Sequence, residues 1–119
     1  MSYDLWIVDA EGNHMDAPIV HHQKGGTYVL GGTPSLEINV TFNYYNAFAK
    51  AFEDERGIKL LDGMKAIDSI PVIINAMKRL GDDETQNYWD ATEGNAKRAL
   101  ESVLHIAALG CEGYWAMAW

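Results

Sequence analysis

SLEINVTFNYYNAFAKAF, residues 35–52, contains the change of period that decides the fold class. Polar and apolar side chains alternate over its first seven residues, and the apolar face consists of Leu36, Ile38 and Val40. That period of two is typical of a half-buried strand in an antiparallel sheet. From Tyr45 to Phe52 the apolar residues recur at helical spacing instead. A strand that leads directly into a helix predicts an α+β fold.

The regions on either side of this stretch predict further strands. Residues 3–8 are rich in aromatic and β-branched side chains, and residues 27–30 form a second short candidate between two glycine pairs. The tail, residues 114–119, alternates tryptophan and methionine with other residues, so it can add a last strand to the sheet. A phosphate-binding interpretation of the glycine pairs is disfavoured, because no helix follows them. Tight turns or bulges explain them better.

Three helices are predicted after the N-terminal strands. The first begins near Tyr45 and is terminated by Gly57. The second is capped at 68–69 and ends at Gly81, and its apolar stripe consists of Ile70, Ile73, Ile74, Met77 and Leu80. The third starts at 90–93, where the spacing fits a capping box, and ends at Gly110. We therefore predict a single domain, residues 1–119, in which about three helices cover one face of a small antiparallel sheet.

Composition restricts the classes of function. The chain has 119 residues, with 17 acidic against 9 basic side chains and a formal net charge of −8. Such a surface repels phosphate backbones, so direct nucleic-acid binding is not expected. No apolar run approaches the roughly 20 residues of a membrane span, and the first residues do not fit a signal peptide. With one cysteine, Cys111, and no internal disulfide, we expect a cytoplasmic protein.

No arrangement of residues predicts catalysis or metal binding. His21 and His22 are adjacent and point to opposite faces of an extended chain, so they cannot easily share a metal ion. His105 is far away in sequence, and Cys111 has no neighbouring base in a known arrangement. We therefore expect no enzyme activity, no metal and no cofactor.

Acidic and aromatic side chains are the remaining candidates for function. The predicted partner-binding residues are Glu53, Asp54, Glu55, Asp82, Asp83, Glu84, Tyr88 and Trp89. Tyrosine and tryptophan are enriched at protein interfaces, and an aromatic anchor beside acidic residues suits a host protein with a basic surface. Two simpler interpretations stay open. The acidic residues can serve solubility alone, and Trp89 can pack under the third helix as a hydrophobic staple.

A resemblance to a family of small uncharacterised phage and prophage proteins rests on five segments: GGTY (25–28), GGT (31–33), NVTFNY (39–44), SIP (69–71) and NYWDATEGNAK (87–97). The match spans most of the chain and implies expression from a phage genome inside a bacterium. Together with the acidic charge, this setting suggests an anti-CRISPR-like protein that inhibits a host nucleic-acid-handling or defence complex. The alternatives are a binder of a nucleotide signal, with a pocket of glycine turns, aromatics and histidines, and a phage structural or assembly module. The aromatic tail also allows a homodimer.

Overall fold

The computed structural model describes residues 2–119, so that Met1 of the predicted domain lies outside the described residues. The elements occur in the order β1 (Ser2–Val8), β2 (Asp16–Gln23), β3 (Tyr28–Ser35), β4 (Glu37–Thr41), α1 (Tyr45–Ala51), α2 (Ala66–Lys78), α3 (Glu93–Leu109) and β5 (Tyr114–Ala118). Two 3-10 helices, Phe42–Tyr44 and Gly57–Leu61, flank α1. The predicted α+β class is confirmed.

The main sheet has three antiparallel strands in the order β4-β1-β5. β1 is the central strand, and Leu5 lies opposite Ile38 of β4 and Met117 of β5. The predicted alternation of 35–41 is present, because Ile38 and Val40 are buried while Glu37 and Asn39 are exposed. The last strand, predicted as an option, completes the sheet as β5.

β2 and β3 form a separate antiparallel hairpin with shifts in register. No strand is predicted at β2, because Pro18 and the exposed Ile19 and Val20 break the alternation that identifies a half-buried strand. β3 is also longer than predicted. Gly31 and Gly32, expected as its boundary, lie inside the strand with φ angles of +86° and +79°. Positive φ angles of this size are accessible at low energy to glycine, so the two glycines make this part of β3 irregular.

The helices differ from their predicted bounds at three ends. α1 ends at Ala51 rather than near Gly57, because the chain turns at Glu53, whose φ is +52°. α2 begins at Ala66, two residues before the predicted cap. Ser69 is fully buried in its first turns and donates its hydroxyl to the Ala66 carbonyl. α3 begins at Glu93 with Thr92 as its N-cap, so the capping box predicted from Asp90 to Glu93 is wrong. The Glu93 carboxylate instead binds Lys50 and the Gly81 N–H.

A continuous core joins the three helices to one face of the main sheet. Tyr3, Leu5 and Ile7 of β1 project into it, and Leu100 and Val103 of α3 pack on the same core. Trp115 is the largest fully buried side chain, and its indole N–H donates to the Ser69 hydroxyl at 2.9 Å. Ser69 therefore accepts the hydrogen bond of a buried indole in the core, and it does not cap α2 as predicted.

Candidate partner-binding site

Asn95 organises the α2–α3 loop, which we define as residues 80–92. Its side chain is 1% exposed in the first turn of α3. The Asn95 Oδ1 accepts from the Thr85 N–H at 3.0 Å. The two N–H groups of its Nδ2 are shared among three acceptors at 3.0 Å, the Thr85 hydroxyl and the carbonyls of Asn87 and Asp90. A buried amide with all of its groups satisfied holds irregular backbone in one conformation.

Tyr88 connects this loop to the sheet. Its hydroxyl accepts from the Thr41 N–H at 3.0 Å at the edge of β4, and its carbonyl accepts from the Tyr44 hydroxyl. The Tyr88 and Tyr44 rings meet edge to face, with centroids 5.6 Å apart. Burial raises the pKa of Tyr88, and it raises the pKa of Tyr44 to about 12. Both phenols are therefore neutral at physiological pH, which the Tyr44 donor bond requires.

Trp89 is the exposed member of the aromatic pair, with 62% of its surface accessible. Its ring packs edge to face on Tyr88 at a centroid distance of 4.9 Å. Its carbonyl accepts from the Asn43 Nδ2 at 2.8 Å, and its N–H donates to the Asn87 Oδ1 at 3.1 Å. Trp89 is therefore not buried beneath α3 as a hydrophobic staple. Its neighbour Tyr88 is the half-buried residue of the pair. The indole is presented to solvent from a fixed backbone.

The predicted acidic residues of the α2–α3 loop each have a partner within the chain. Asp82 pairs with Lys97 at 2.8 Å, and Glu84 pairs with Arg98 at 3.2 Å. The Asp83 Oδ1 accepts from the N–H of Gly94 at 3.1 Å, at the start of α3. Carboxylates near a helix N-terminus are favoured by the helix dipole, so Asp83 stabilises α3 locally.

The second acidic cluster follows α1. Glu53 pairs with Arg79 at 2.7 Å, and Asp54 pairs with Arg56 at 3.0 Å. The hydrogen bonds from Arg56 lower the pKa of Asp54. Glu55 is exposed and has no side-chain hydrogen bond or ion pair within residues 2–119. Because Arg79 follows α2 directly, its pairing with Glu53 brings this cluster toward the α2–α3 loop. Both predicted clusters thus lie at one end of the helical layer.

A cleft of about 530 Å³ lies between the β2–β3 hairpin and the outer edge of β4. Tyr88 and Trp89 line it, together with Gly26, and a Cβ atom added to Gly26 would lie 2.7 Å from the Tyr88 ring. The remaining lining is mainly polar and includes Asp4, Gln23, Lys24, Thr27, Thr33, Ser35, Glu37 and Asn39. Its volume is within the range of small-molecule and side-chain binding sites.

The cleft only partly matches the pocket considered from sequence. Glycine and aromatic residues line it as expected, but the histidines do not. His21 is buried, where its Nδ1 accepts from the Gln23 N–H and its Nε2 hydrogen-bonds the Ser35 carbonyl, while His22 stacks on Tyr28. Asp4 and Glu37 were missed as site residues. Each lies on the polar, outward face of an alternating strand, which the sequence does indicate. The sequence of either strand alone does not show that the two strands pair, so it does not bring the two residues together.

Within residues 2–119 there is no group of three or more metal-ligating side chains. No helix among them combines the length and apolar character needed to cross a membrane. Cys111 is a free, partly buried thiol.

No protein-family model, curated protein or solved structure matches this chain. The resemblance to phage proteins therefore stays a prediction, and function has to be argued from the side chains described above.

Proposed function

We propose that the chain is a phage-encoded acidic accessory protein that binds and inhibits a host nucleic-acid-handling or defence complex, in the manner of an anti-CRISPR protein. It acts by occupation of a basic protein surface in the bacterial cytoplasm and not by catalysis. The observation that carries the proposal is Trp89, 62% exposed on backbone that hydrogen bonds from Asn43 and Asn95 hold in place.

A rigid, exposed tryptophan is well suited to anchor a protein interface. Interface hot spots are enriched in tryptophan, tyrosine and arginine, and they lie near the centre of the contact. Because the backbone around Trp89 is already fixed, its ordering on binding loses little conformational entropy. A surface-exposed indole has no comparable role in the stability of the free chain.

The charge around Trp89 favours a basic partner. The net charge is −8, and the Asp82 side chain is 88% exposed even though it pairs with Lys97. Exposed ion pairs of this kind contribute only about 0–1 kcal/mol, so a partner's lysine or arginine can displace Lys97 at little cost. Glu55, with no intramolecular partner in the described chain, is available directly. Long-range attraction would also accelerate association.

A second candidate function, binding of a nucleotide signal, is favoured by the volume of the cleft and by its aromatic wall. The charge of the cleft argues against this candidate. Its lining contains two carboxylates, Asp4 and Glu37, and one basic residue, Lys24. A thermal-shift assay tests it directly. A nucleotide at about 100 times its dissociation constant would add roughly 2.7 kcal/mol to the unfolding free energy.

The primary test is capture of the partner by the tagged chain from nuclease-treated host lysate, followed by an assay of the partner's activity. We expect one nucleic-acid-binding complex to be recovered and inhibited. Trp89→Ala should weaken binding by about 30-fold, which corresponds to a hot-spot loss of about 2 kcal/mol. Trp119→Ala is the matched control, because Trp119 is also exposed, at 55%, but packs against Lys59 elsewhere.

Three results would contradict the proposal. Equal binding by the Trp89→Ala variant would exclude the aromatic anchor. Recovery of nothing but the chain itself, or its presence in purified virions, would favour the structural or assembly alternative. A complex that is captured but keeps full activity would exclude inhibition.

A further inference from the structure

Two carboxylates of the cleft differ from Glu53, Asp54, Asp82 and Glu84 of the predicted acidic clusters, each of which is in an ion pair. Asp4 and Glu37 line the cleft, and neither forms an ion pair with any lysine, arginine or histidine among residues 2–119. The Asp4 Oδ1 accepts a hydrogen bond from the Asn39 Nδ2 at 2.7 Å. These carboxylates are therefore open to a cation from outside the chain, unlike Asp82 or Glu84.

The register of the sheet places both carboxylates on one face. Asp4 lies opposite Asn39 and Trp6 lies opposite Glu37, so Asp4 and Glu37 are diagonal neighbours on antiparallel strands. Such neighbours are separated by roughly 7–8 Å. One cationic group between them can approach both carboxylates, and Asn39 lies beside it as a further polar partner.

An aromatic wall completes the arrangement. Trp89 lines the same cleft, and Tyr88, which packs against it, is fixed to the edge of β4 through the Thr41 N–H. Cations are attracted to the face of an indole, and arginine is the commonest partner in such contacts. A guanidinium also matches two carboxylates better than an ammonium does, because its five donors lie in one plane.

We propose that the cleft is the binding site for an arginine side chain of the partner protein, with the guanidinium held by the carboxylates of Asp4 and Glu37 against the Trp89 indole. This inference rests on the proposed function and identifies the chemistry that the partner must present. It also explains how binding to a basic surface proceeds although most acidic residues of the predicted clusters already have partners. Lys24 is exposed and lines the same cleft, so its charge opposes any cation there, and the attraction of Asp4, Glu37 and the indole has to exceed that repulsion.

The test uses the peptide Ac-Gly-Arg-Gly-NH₂ and its counterpart with citrulline, which keeps the shape of arginine but is neutral. Binding is followed by ¹H–¹⁵N correlation spectra of the intact chain, in which the four tryptophans give indole N–H signals. We expect the Trp89 signal, assigned with Trp89→Phe, and the amides of residues 37–39 to shift with the arginine peptide alone. Added salt should weaken the effect.

Paired charge removals locate the site. Asp4→Asn together with Glu37→Gln should weaken binding of the arginine peptide by at least about tenfold, as expected from loss of a charge-assisted hydrogen bond. Glu101→Gln together with Glu112→Gln removes the same charge at two exposed positions outside the cleft, and it should change the affinity less than about twofold.

The inference and the proposed function fail in different ways. Absence of shifts at the cleft, equal shifts with citrulline, or binding that survives the Asp4 and Glu37 substitutions would each overturn the arginine site. Shifts of the cleft signals by adenosine monophosphate and not by the arginine peptide would do the same. If the Asp4 and Glu37 variant still captures and inhibits the host complex, the proposed function stands without this site.

Discussion

Replacement of Asn95 by alanine should destabilise the chain more than alanine replacement of any other polar residue on α3. The side chain is 1% exposed, and its amide has four polar partners at 3.0 Å in the α2–α3 loop, one on Oδ1 and three that share the two N–H groups of Nδ2. Each net hydrogen bond contributes about 1 kcal/mol, and the groups left behind at Thr85, Asn87 and Asp90 lose their buried partner. We therefore expect the free energy of unfolding to fall by about 3–4 kcal/mol.

Urea unfolding followed by far-ultraviolet circular dichroism and tryptophan fluorescence measures this loss. Thermal unfolding should show the same loss. For a chain of this size, a destabilisation of about 1 kcal/mol lowers the melting temperature by about 4 °C, so a decrease of about 12–16 °C is expected. Asn95→Asp should be at least as damaging, because it directs a carboxylate at the Asn87 and Asp90 carbonyls.

The control for Asn95 is Asn46→Ala, at an exposed position of α1. Its effect should stay within about 0.5 kcal/mol. If Asn95→Ala costs less than about 1 kcal/mol and leaves tryptophan fluorescence unchanged, the loop does not depend on this amide, and the argument for a fixed Trp89 is wrong.

Two further predictions concern the cleft and the tyrosines. Gly25→Ala should destabilise the chain by about 1–3 kcal/mol more than Gly12→Ala, measured by urea unfolding. Both glycines have a positive φ, so the backbone strain is similar. Only at Gly25 would the new Cβ also clash, because it would lie 1.8 Å from the Asn39 carbonyl oxygen. Equal losses would show that the hairpin shifts freely away from β4. Burial raises the pKa of Tyr44 to about 12, whereas a tyrosine in the unfolded chain ionises near 10. The unfolded state therefore loses this proton first, and the free energy of unfolding should fall as the pH rises from about 10 to about 12. Unfolding curves across this range should show a weaker pH dependence in Tyr44→Phe, and an identical slope would contradict the assignment.

Most of the fold is predictable because its signals are local. The alternation of 35–41, the helical spacing after Tyr45 and the helix start signal at 90–93 each depend on a few neighbouring residues, and the structure has an element at each position. No strand is predicted at β2 because its residues do not alternate: four of its eight positions, including Ile19 and Val20, are exposed. Period alone identifies a strand only where one face is buried and the other is not.

The candidate site is less predictable because its parts come from distant segments. Tyr88 and Trp89 were identified from their residue types and their position beside an acidic run. The sequence could not separate their roles, since the burial of Tyr88 depends on Thr41 and Tyr44. Likewise, the ion pair of Asp82 with Lys97 depends on how the α2–α3 loop folds back on α3. Asp4 and Glu37 become neighbours only through the register of β1 with β4.

The order of strands in the main sheet affects how the chain can fold during synthesis. β1 precedes the other described elements along the chain, yet one of its two neighbours is β5, which follows all of them. Until β5 leaves the ribosome, one edge of β1 lacks its backbone partners and the space filled by Trp115 stays open. The nascent chain must therefore keep Leu5 and Ile7 on an incomplete sheet, where chaperones that bind exposed apolar segments would recognise them. Closure of β5 on β1 is therefore expected to be a late step of folding.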